Sequence, residues 1–404
     1  STAGSYQVAM KEYTSDTSKR PRLVIEYSGT QFGAGAGYPY DQPPGWEVDV
    51  RQDKMKEDKL NIIRYSGQRV DFETDAVTIA NGRYFVQTAH GNGMKVILVF
   101  PAGWTGVNGF SSKEDYASYI ENFLLALSSP VNYITNGTLL GIEIGAEEDD
   151  TSVQKWTKVL DNGYYLATST GGGEFAQYYL AAWDKIKSNP NHPEWRKLWV
   201  MSGSIEDWKW VTRTDQIKHS KAFLSGFLDA VTTSQNLHKA PDMIAVHSYT
   251  GQYSQFGSGG DWNEFHSINK VLFDMCNSRG FIPNIVQTEY GYSATHPESL
   301  PGITSPWAPL NKADNITQAV YYLQSRLIHA GMNPYFGFGM SLSTYFLHPR
   351  SIAGGVIDNA SRITEWGFHN FDTSSPPYPG SDRAIRSVSR ILMNPTENIF
   401  LGDP

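Results

Sequence analysis

Acidic side chains at the ends of apolar runs are the first feature of this 404-residue chain that can do chemistry. The run Leu139–Ile144 (LLGIEI) continues as Gly145-Ala146-Glu147-Glu148-Asp149-Asp150. Period-two alternation along a strand would send Glu143, Gly145 and Glu147 to one side, leaving Ile142 and Ile144 on the other. A second run ends Val286-Gln287-Thr288-Glu289-Tyr290-Gly291, placing Glu289 where a strand gives way to a glycine-containing loop. Two opposed carboxylates suit glycosidic bond cleavage, with one as acid on the leaving oxygen and the other as nucleophile or base at the anomeric carbon. Glu143 reads first as a structural acid, because a carboxylate inside a barrel is costly unless hydrogen-bonded. Glu148, Asp149 and Asp150 read as a solvated acidic loop.

Such residues need a scaffold that brings strand ends together. Eight short apolar runs have the length and continuous hydrophobicity of strands buried on both faces. They are 22–27, 60–65, 94–100, 139–144, 198–202, 243–247, 284–288 and 335–340. Helix-patterned segments lie between them: Ser112–Leu127, where Asp115 follows a capping Ser112, then 174–188, 217–232, 264–279, and 315–330 between Asp314 and Gly331. With a last helix at 381–393, this alternation predicts an α/β fold, a (βα)8 TIM barrel, ahead of an open doubly wound sheet. The irregular segments 28–46, 248–261, 291–309 and 348–380 then become long loops on the C-terminal face. We expect one catalytic domain over 1–404, with no separate β-sandwich.

Composition narrows the chemistry. Eleven Trp, 23 Tyr and 19 Phe stand against only 18% charged residues, and flat aromatic faces stack on the C–H faces of sugars as readily as they fill a core. The formal charge of -8 argues against a nucleic-acid surface, which draws on clustered cations. No apolar stretch is long enough for a membrane span, and one cysteine, Cys276, cannot form an intrachain disulfide. We expect no nucleic-acid or membrane partner, and a secreted or periplasmic location with any leader already removed.

The four central motifs resemble those of clan A retaining glycoside hydrolases, most closely families 39, 51 and 79. Arg64-Tyr65-Ser66-Gly67-Gln68 is similar to their strand-two motif, Glu143-Ile144-Gly145-Ala146-Glu147 to strand four, Ala245-Val246-His247-Ser248-Tyr249 to strand six, and Thr288-Glu289-Tyr290-Gly291 to strand seven. The resemblance implies Glu147 as acid/base and Glu289 as nucleophile, the first protonated and the second ionised when cleavage begins. Arg64 would direct Glu289 or pair with Glu143, or serve both. Tyr249 would donate to Glu289, and His247 would touch Glu147 or a sugar hydroxyl. Where the clan has Asn before the acid/base, this chain has Ala146, which cannot contact a 2-hydroxyl. An unusual C2 substituent, a substitute such as Asn92 or Asn108, and reduced activity are the three readings of that departure.

The implied substrate is a polysaccharide or oligosaccharide, cleaved internally along an aromatic-lined cleft. Trp104, Trp208, Trp262, Tyr290, Trp307 and Tyr345 are candidate sugar platforms on the loops, and Lys209 and Arg213 candidate subsite cations. A carbohydrate-binding barrel without turnover is one alternative. A metal-dependent isomerase or lyase using His247, Glu289, Glu147 and His90 is another, although no HxH or HExxH spacing occurs and no cofactor is expected. Gly171-Gly172-Gly173 lacks a phosphate loop's lysine and reads as a turn.

Overall fold

The computed structural model describes residues 33–38, 52–53, 55–56, 60–69, 74–104, 109–151, 154–161, 164–205, 214–247, 261–290 and 340–345. Its strands are β1 (Gly33–Tyr38), β2 (Ile62–Ser66), β3 (Lys95–Phe100), β4 (Leu139–Ile144), β5 (Lys158–Asp161), β6 (Tyr164–Ala167), β7 (Trp199–Ser202), β8 (Met243–Val246), β9 (Asn284–Tyr290) and β10 (Met340–Tyr345). Five helices are described: α1 (Asp75–Gly91), α2 (Lys113–Leu127), α3 (Ser169–Lys187), α4 (Thr214–Val231) and α5 (Asp261–Asn277). Eight strands close into one parallel ring in the order β1-β10-β9-β8-β7-β4-β3-β2, and β5 and β6 form a separate antiparallel hairpin between β4 and α3. The fold is an α/β barrel. Among the described residues no helix is long and apolar enough to cross a membrane.

Two layers of packing follow from the pleat. Outward residues such as Ile63, Tyr65, Val96, Leu98, Ile142, Ile144, Val200 and Ile244 are buried against the helices. Inward residues near the strand starts form an apolar plug of Ile62, Ile97, Met201, Met243, Ala245 and Val286. Gly141 lies beneath it because a side chain there would come within 2.8 Å of Met201 Cε. Among the described residues, charged side chains enter the barrel above this plug, toward the C-terminal ends.

Local chemistry sets the helix starts. Ser112 accepts from the Asp115 amide at 3.1 Å and starts α2, as its sequence pattern predicts. Thr168 caps α3 in the same way through the Gly171 amide. The 171–173 glycines therefore lie inside the first turns of α3 and not in a turn. Close packing explains two of them: a Cβ on Gly171 would meet Thr157 O at 2.6 Å and one on Gly172 would meet Phe223 O at 1.9 Å, and a Cβ on Gly226 would meet Ser169 O at 1.9 Å, so α3 and α4 approach backbone to backbone.

Several expectations are corrected. The first ring strand is Gly33–Tyr38, inside the segment 28–46 expected as a loop, and the run 22–27 lies outside the described residues. GAGAGY carries no apolar signal, so only its pairing with β2 and β10 reveals it. The last ring strand is Met340–Tyr345, beyond the apolar run 335–340, because its MSLSTY sequence pairs in register with β1 and β9. Helix α1 and the β5–β6 hairpin had no counterpart in the sequence reading. In α1, β-branched residues, Asn and Gly dilute the helical signal. Helix α3 begins at Ser169, five residues before the expected start. The segments 315–330 and 381–393 lie outside the described residues.

Candidate active site

At the C-terminal mouth, one arginine joins two strands' carboxylates. Arg64, on β2, donates from Nε to Glu143 Oε2 at 2.7 Å and from Nη2 to Glu143 Oε1 at 3.2 Å. Its Nη1 donates to Glu289 Oε1 at 2.7 Å. Thr288 Oγ1 adds a 3.2 Å bond to Glu143 Oε1. All four residues are buried. Sequence reading left open whether Arg64 serves Glu143 or Glu289; the planar fork serves both at once. A guanidinium so placed offsets much of the cost of burying two acids, and it fixes the direction of each.

Glu289 reaches this position through a break in the pleat. Val286 belongs to the interior plug and Thr288 also points inward, yet the next residue, Glu289, contacts Arg64 as well, while Tyr290 joins the outer core. The register between β10 and β9 shifts here, from Ser343↔Gln287 to Tyr345↔Tyr290, so β9 carries one extra residue. Bulges of this kind re-aim side chains beside functional sites.

Glu147 is placed by a different device. Regular strand geometry ends at Ile144, and Gly145 (φ 92°) and Glu147 (φ 49°) both adopt left-handed backbone. The expected alternation of Glu143, Gly145 and Glu147 therefore stops after Glu143. The kinked segment is held by the Glu147 amide donating to Ser204 Oγ (3.0 Å) and by Gln154 Nε2 donating to the carbonyls of Ala146 and Glu147 (both 3.0 Å). The Glu147 side chain meets His247, whose Nδ1 lies 2.8 Å from Glu147 Oε1 and 3.5 Å from Glu289 Oε2. One carboxylate oxygen of each glutamate and a ring nitrogen of His247 all lie within 4.8 Å of one another.

Glu148 overturns the reading of a solvated acidic loop. It is fully buried, and Asp149 nearly so. Glu148 Oε1 accepts from the amides of Ala146 (2.8 Å) and Ala102 (3.0 Å), and Oε2 accepts from Trp156 Nε1 (2.8 Å). Burial pushes its pKa up to about 7 even though these three N–H donors pull the other way. Asp149 Oδ2 accepts from Ser220 Oγ at 2.7 Å, tying the same loop to α4. The left-handed turn at 145–147 folds the loop back into the protein. In sequence, Gly145 and Gly203 were the signal, since a Cβ at either would press on Glu148 Cγ at 2.6 and 2.9 Å.

Other candidates are dispersed. Tyr290 is buried in the outer core and offers no rim platform, because the bulge turns it away from the mouth. Trp262 sits in the first turn of α5 and not on a loop, and Tyr345 ends β10. Trp104 is half-buried and bridges to Gln154 after β3. Asn92 caps the end of α1, where it accepts from Lys56, so it lies at the opposite end of the barrel from Glu147 and cannot replace the missing Asn. His90 is at that same end, beside Thr138 ahead of β4, and is no partner for His247 in a metal site. Ala146 itself is buried, with its amide and carbonyl both bonded. Cys276 is a buried free thiol whose pKa burial pushes up to about 12. Trp208, Tyr249, Trp307, Asn108, Lys209 and Arg213 lie outside the described residues.

No protein-family model and no curated protein sequence matches the chain. Solved structures do. A glucosidase from Croceicoccus marinus matches with a TM-score of 0.55 at 14% identity, over 90% of this chain and 67% of that one. An endo-beta-1,4-mannanase from Thermotoga petrophila matches with a TM-score of 0.56 at 14% identity, over 92% and 79%. A glycoside hydrolase family 5 mannosidase from Rhizomucor miehei matches with a TM-score of 0.52 at 12% identity, over 91% and 94%. At such identities the likeness is one of fold, and these barrels are ones on which glycoside hydrolases are built.

Proposed function

We propose that the protein is a retaining glycoside hydrolase built on a single (βα)8 barrel, secreted or periplasmic, that cleaves an oligosaccharide or polysaccharide by double displacement. Glu147 protonates the leaving oxygen while Glu289 attacks the anomeric carbon; water, deprotonated by Glu147, then releases the sugar. The observation that carries this reading is the opposition of the two carboxylates across the mouth, with oxygens within 4.8 Å. Nucleophile and acid in retaining enzymes stand ~5–5.5 Å apart, whereas inversion needs ~6.5–9.5 Å to admit water. The roles differ because the surroundings differ: Glu289 is held by Arg64, and Glu147 faces His247. His247 is the neighbour that directs the Glu147 carboxyl.

The motifs resemble those of families 39, 51 and 79, whereas the similar solved structures include a family 5 mannosidase and enzymes named for glucose and mannose substrates. A β-linked glucan or mannan, cut internally along an aromatic-lined cleft, is the substrate class we assign. The experiment is release of reducing ends from a broad glycan panel, with Glu289→Gln as control. Hydrolysis by the wild type alone is the expected result; glycan binding without turnover would favour a binding-only barrel. The three ligating atoms of Glu147, His247 and Glu289 also have the closeness a divalent cation needs. Activity abolished by a chelator and restored by metal would favour the isomerase or lyase reading.

A further inference from the structure

We propose that Glu148 is the positioning residue for the acid/base, an inference that rests on the reading of Glu147 above. Glu147 and Glu148 are consecutive but point in opposite senses, one to the mouth and one into the protein. That reversal is forced by the left-handed backbone at Glu147, a conformation that strains a non-glycine residue and persists only where its surroundings over-determine it. The surroundings here converge on Glu148. Its Oε1 gathers the amides of Ala102, after β3, and Ala146, after β4, and its Oε2 takes the indole N–H of Trp156, ahead of the β5–β6 hairpin. The carboxylate thus ties three segments of the rim to the peptide just before Glu147. Room for it exists only because Gly145 and Gly203 lack side chains.

The remaining bonds in the loop complete the clamp. The Glu148 amide donates to Ser204 O at 3.3 Å, and the Glu147 carbonyl accepts from the Asp150 amide at 2.9 Å. No bond of Glu148 reaches the mouth, so its influence on the reaction runs through the placement of Glu147. A general acid contributes about 10²–10⁴-fold, and a misplacement of about 1 Å forfeits roughly 10²-fold of such a contribution. A misplaced acid has a distinctive signature. It slows glycosides whose leaving group must be protonated and spares those whose leaving group departs unaided, whereas a general loss of folding slows both alike.

The test compares kcat/KM for phenyl and 2,4-dinitrophenyl β-D-glucosides and β-D-mannosides. Glu148→Ala should lose about 100-fold on the phenyl substrate and less than about fivefold on the dinitrophenyl one. Glu148→Gln keeps an acceptor for the two amides but sets an NH2 against the Trp156 N–H, so its selective loss should be about tenfold. Adding Trp156→Phe to Glu148→Gln removes that donor conflict and should recover most of the tenfold. This second pair carries the test if Glu148→Ala fails to fold. Equal losses on both leaving groups, or no recovery in the double variant while it melts like the wild type, would overturn the positioning role. A wild type that hydrolyses none of the four glycosides and no glycan of the panel would instead overturn the glycosidase reading itself.

Discussion

The two glutamates at the mouth are held in opposite ways. Glu289 sits in a strand, displaced by a bulge, and a buried guanidinium 2.7 Å from one carboxylate oxygen directs it, with His247 3.5 Å from the other. Glu147 sits just past a strand, on a left-handed kink, and its backbone is held by Ser204 after β7 and by Gln154, with the buried Glu148 fixing the neighbouring Ala146 amide. The difference matches what each would have to do. A nucleophile must stay charged and aimed along one line, which a strand and a guanidinium provide. An acid/base must exchange a proton with substrate and then with water, and among the described residues the Glu147 side chain is the less buried of the two.

The sharpest way to break this comparison is to remove each carboxylate. Glu289→Gln should lower kcat more than about 10⁴-fold, and Glu147→Ala about 10²–10⁴-fold. Azide should restore turnover of the dinitrophenyl glycoside only in the Glu147 variant, giving a glycosyl azide of retained configuration. Rescue in the reverse pattern would exchange the two roles.

Stability separates the two devices next. Arg64→Met leaves Glu143 and Glu289 without their shared cation and should cost about 3–5 kcal/mol by chemical denaturation. A cost under about 1 kcal/mol would mean that the acids are not charged together in the folded state. Glu148 predicts an opposite pH trend from an ordinary ion-paired carboxylate. Its folded pKa is raised from 4.5 to about 7, so its contribution to stability is whole below about 4.5 and is lost as the pH rises through about 7. The wild type should therefore lose about 3 kcal/mol relative to Glu148→Ala across that window. A constant difference between the two proteins would contradict the shift.

The smallest effect concerns Ala146. Because its side chain is buried and its peptide is fixed by Glu148 and Gln154, Ala146→Asn should bring no gain in kcat. A large gain would mean that the chain is a weakened form of an ordinary clan A site.

Much of this was legible where one residue type had one physical meaning. Continuous apolar runs marked β2, β3, β4, β7, β8 and β9, since strands buried on both faces tolerate little else. Strand ends marked Glu143, Glu147 and Glu289, and the clan A resemblance added Arg64 and His247; the structure brings the five side chains together. What was not legible depended on partners distant in sequence. GAGAGY becomes β1 only by pairing with strands on both sides, and Gly172 finds its place inside a helix because the backbone of α4 packs directly against it. The burial of Glu148 needs Ala102 and Trp156 to supply donors. The bulge before Tyr290 reverses a side chain that simple alternation would assign otherwise.

Double displacement requires Glu289 to form a covalent bond to the sugar. Incubation with 2,4-dinitrophenyl 2-deoxy-2-fluoro-β-D-glucoside or -mannoside, followed by proteolysis and peptide mass mapping, reads it directly. One fluoroglycosyl group should appear on the peptide bearing Glu289, with none in Glu289→Gln. A label on Glu147, or turnover of the natural glycan to the inverted anomer with no label at all, would contradict it.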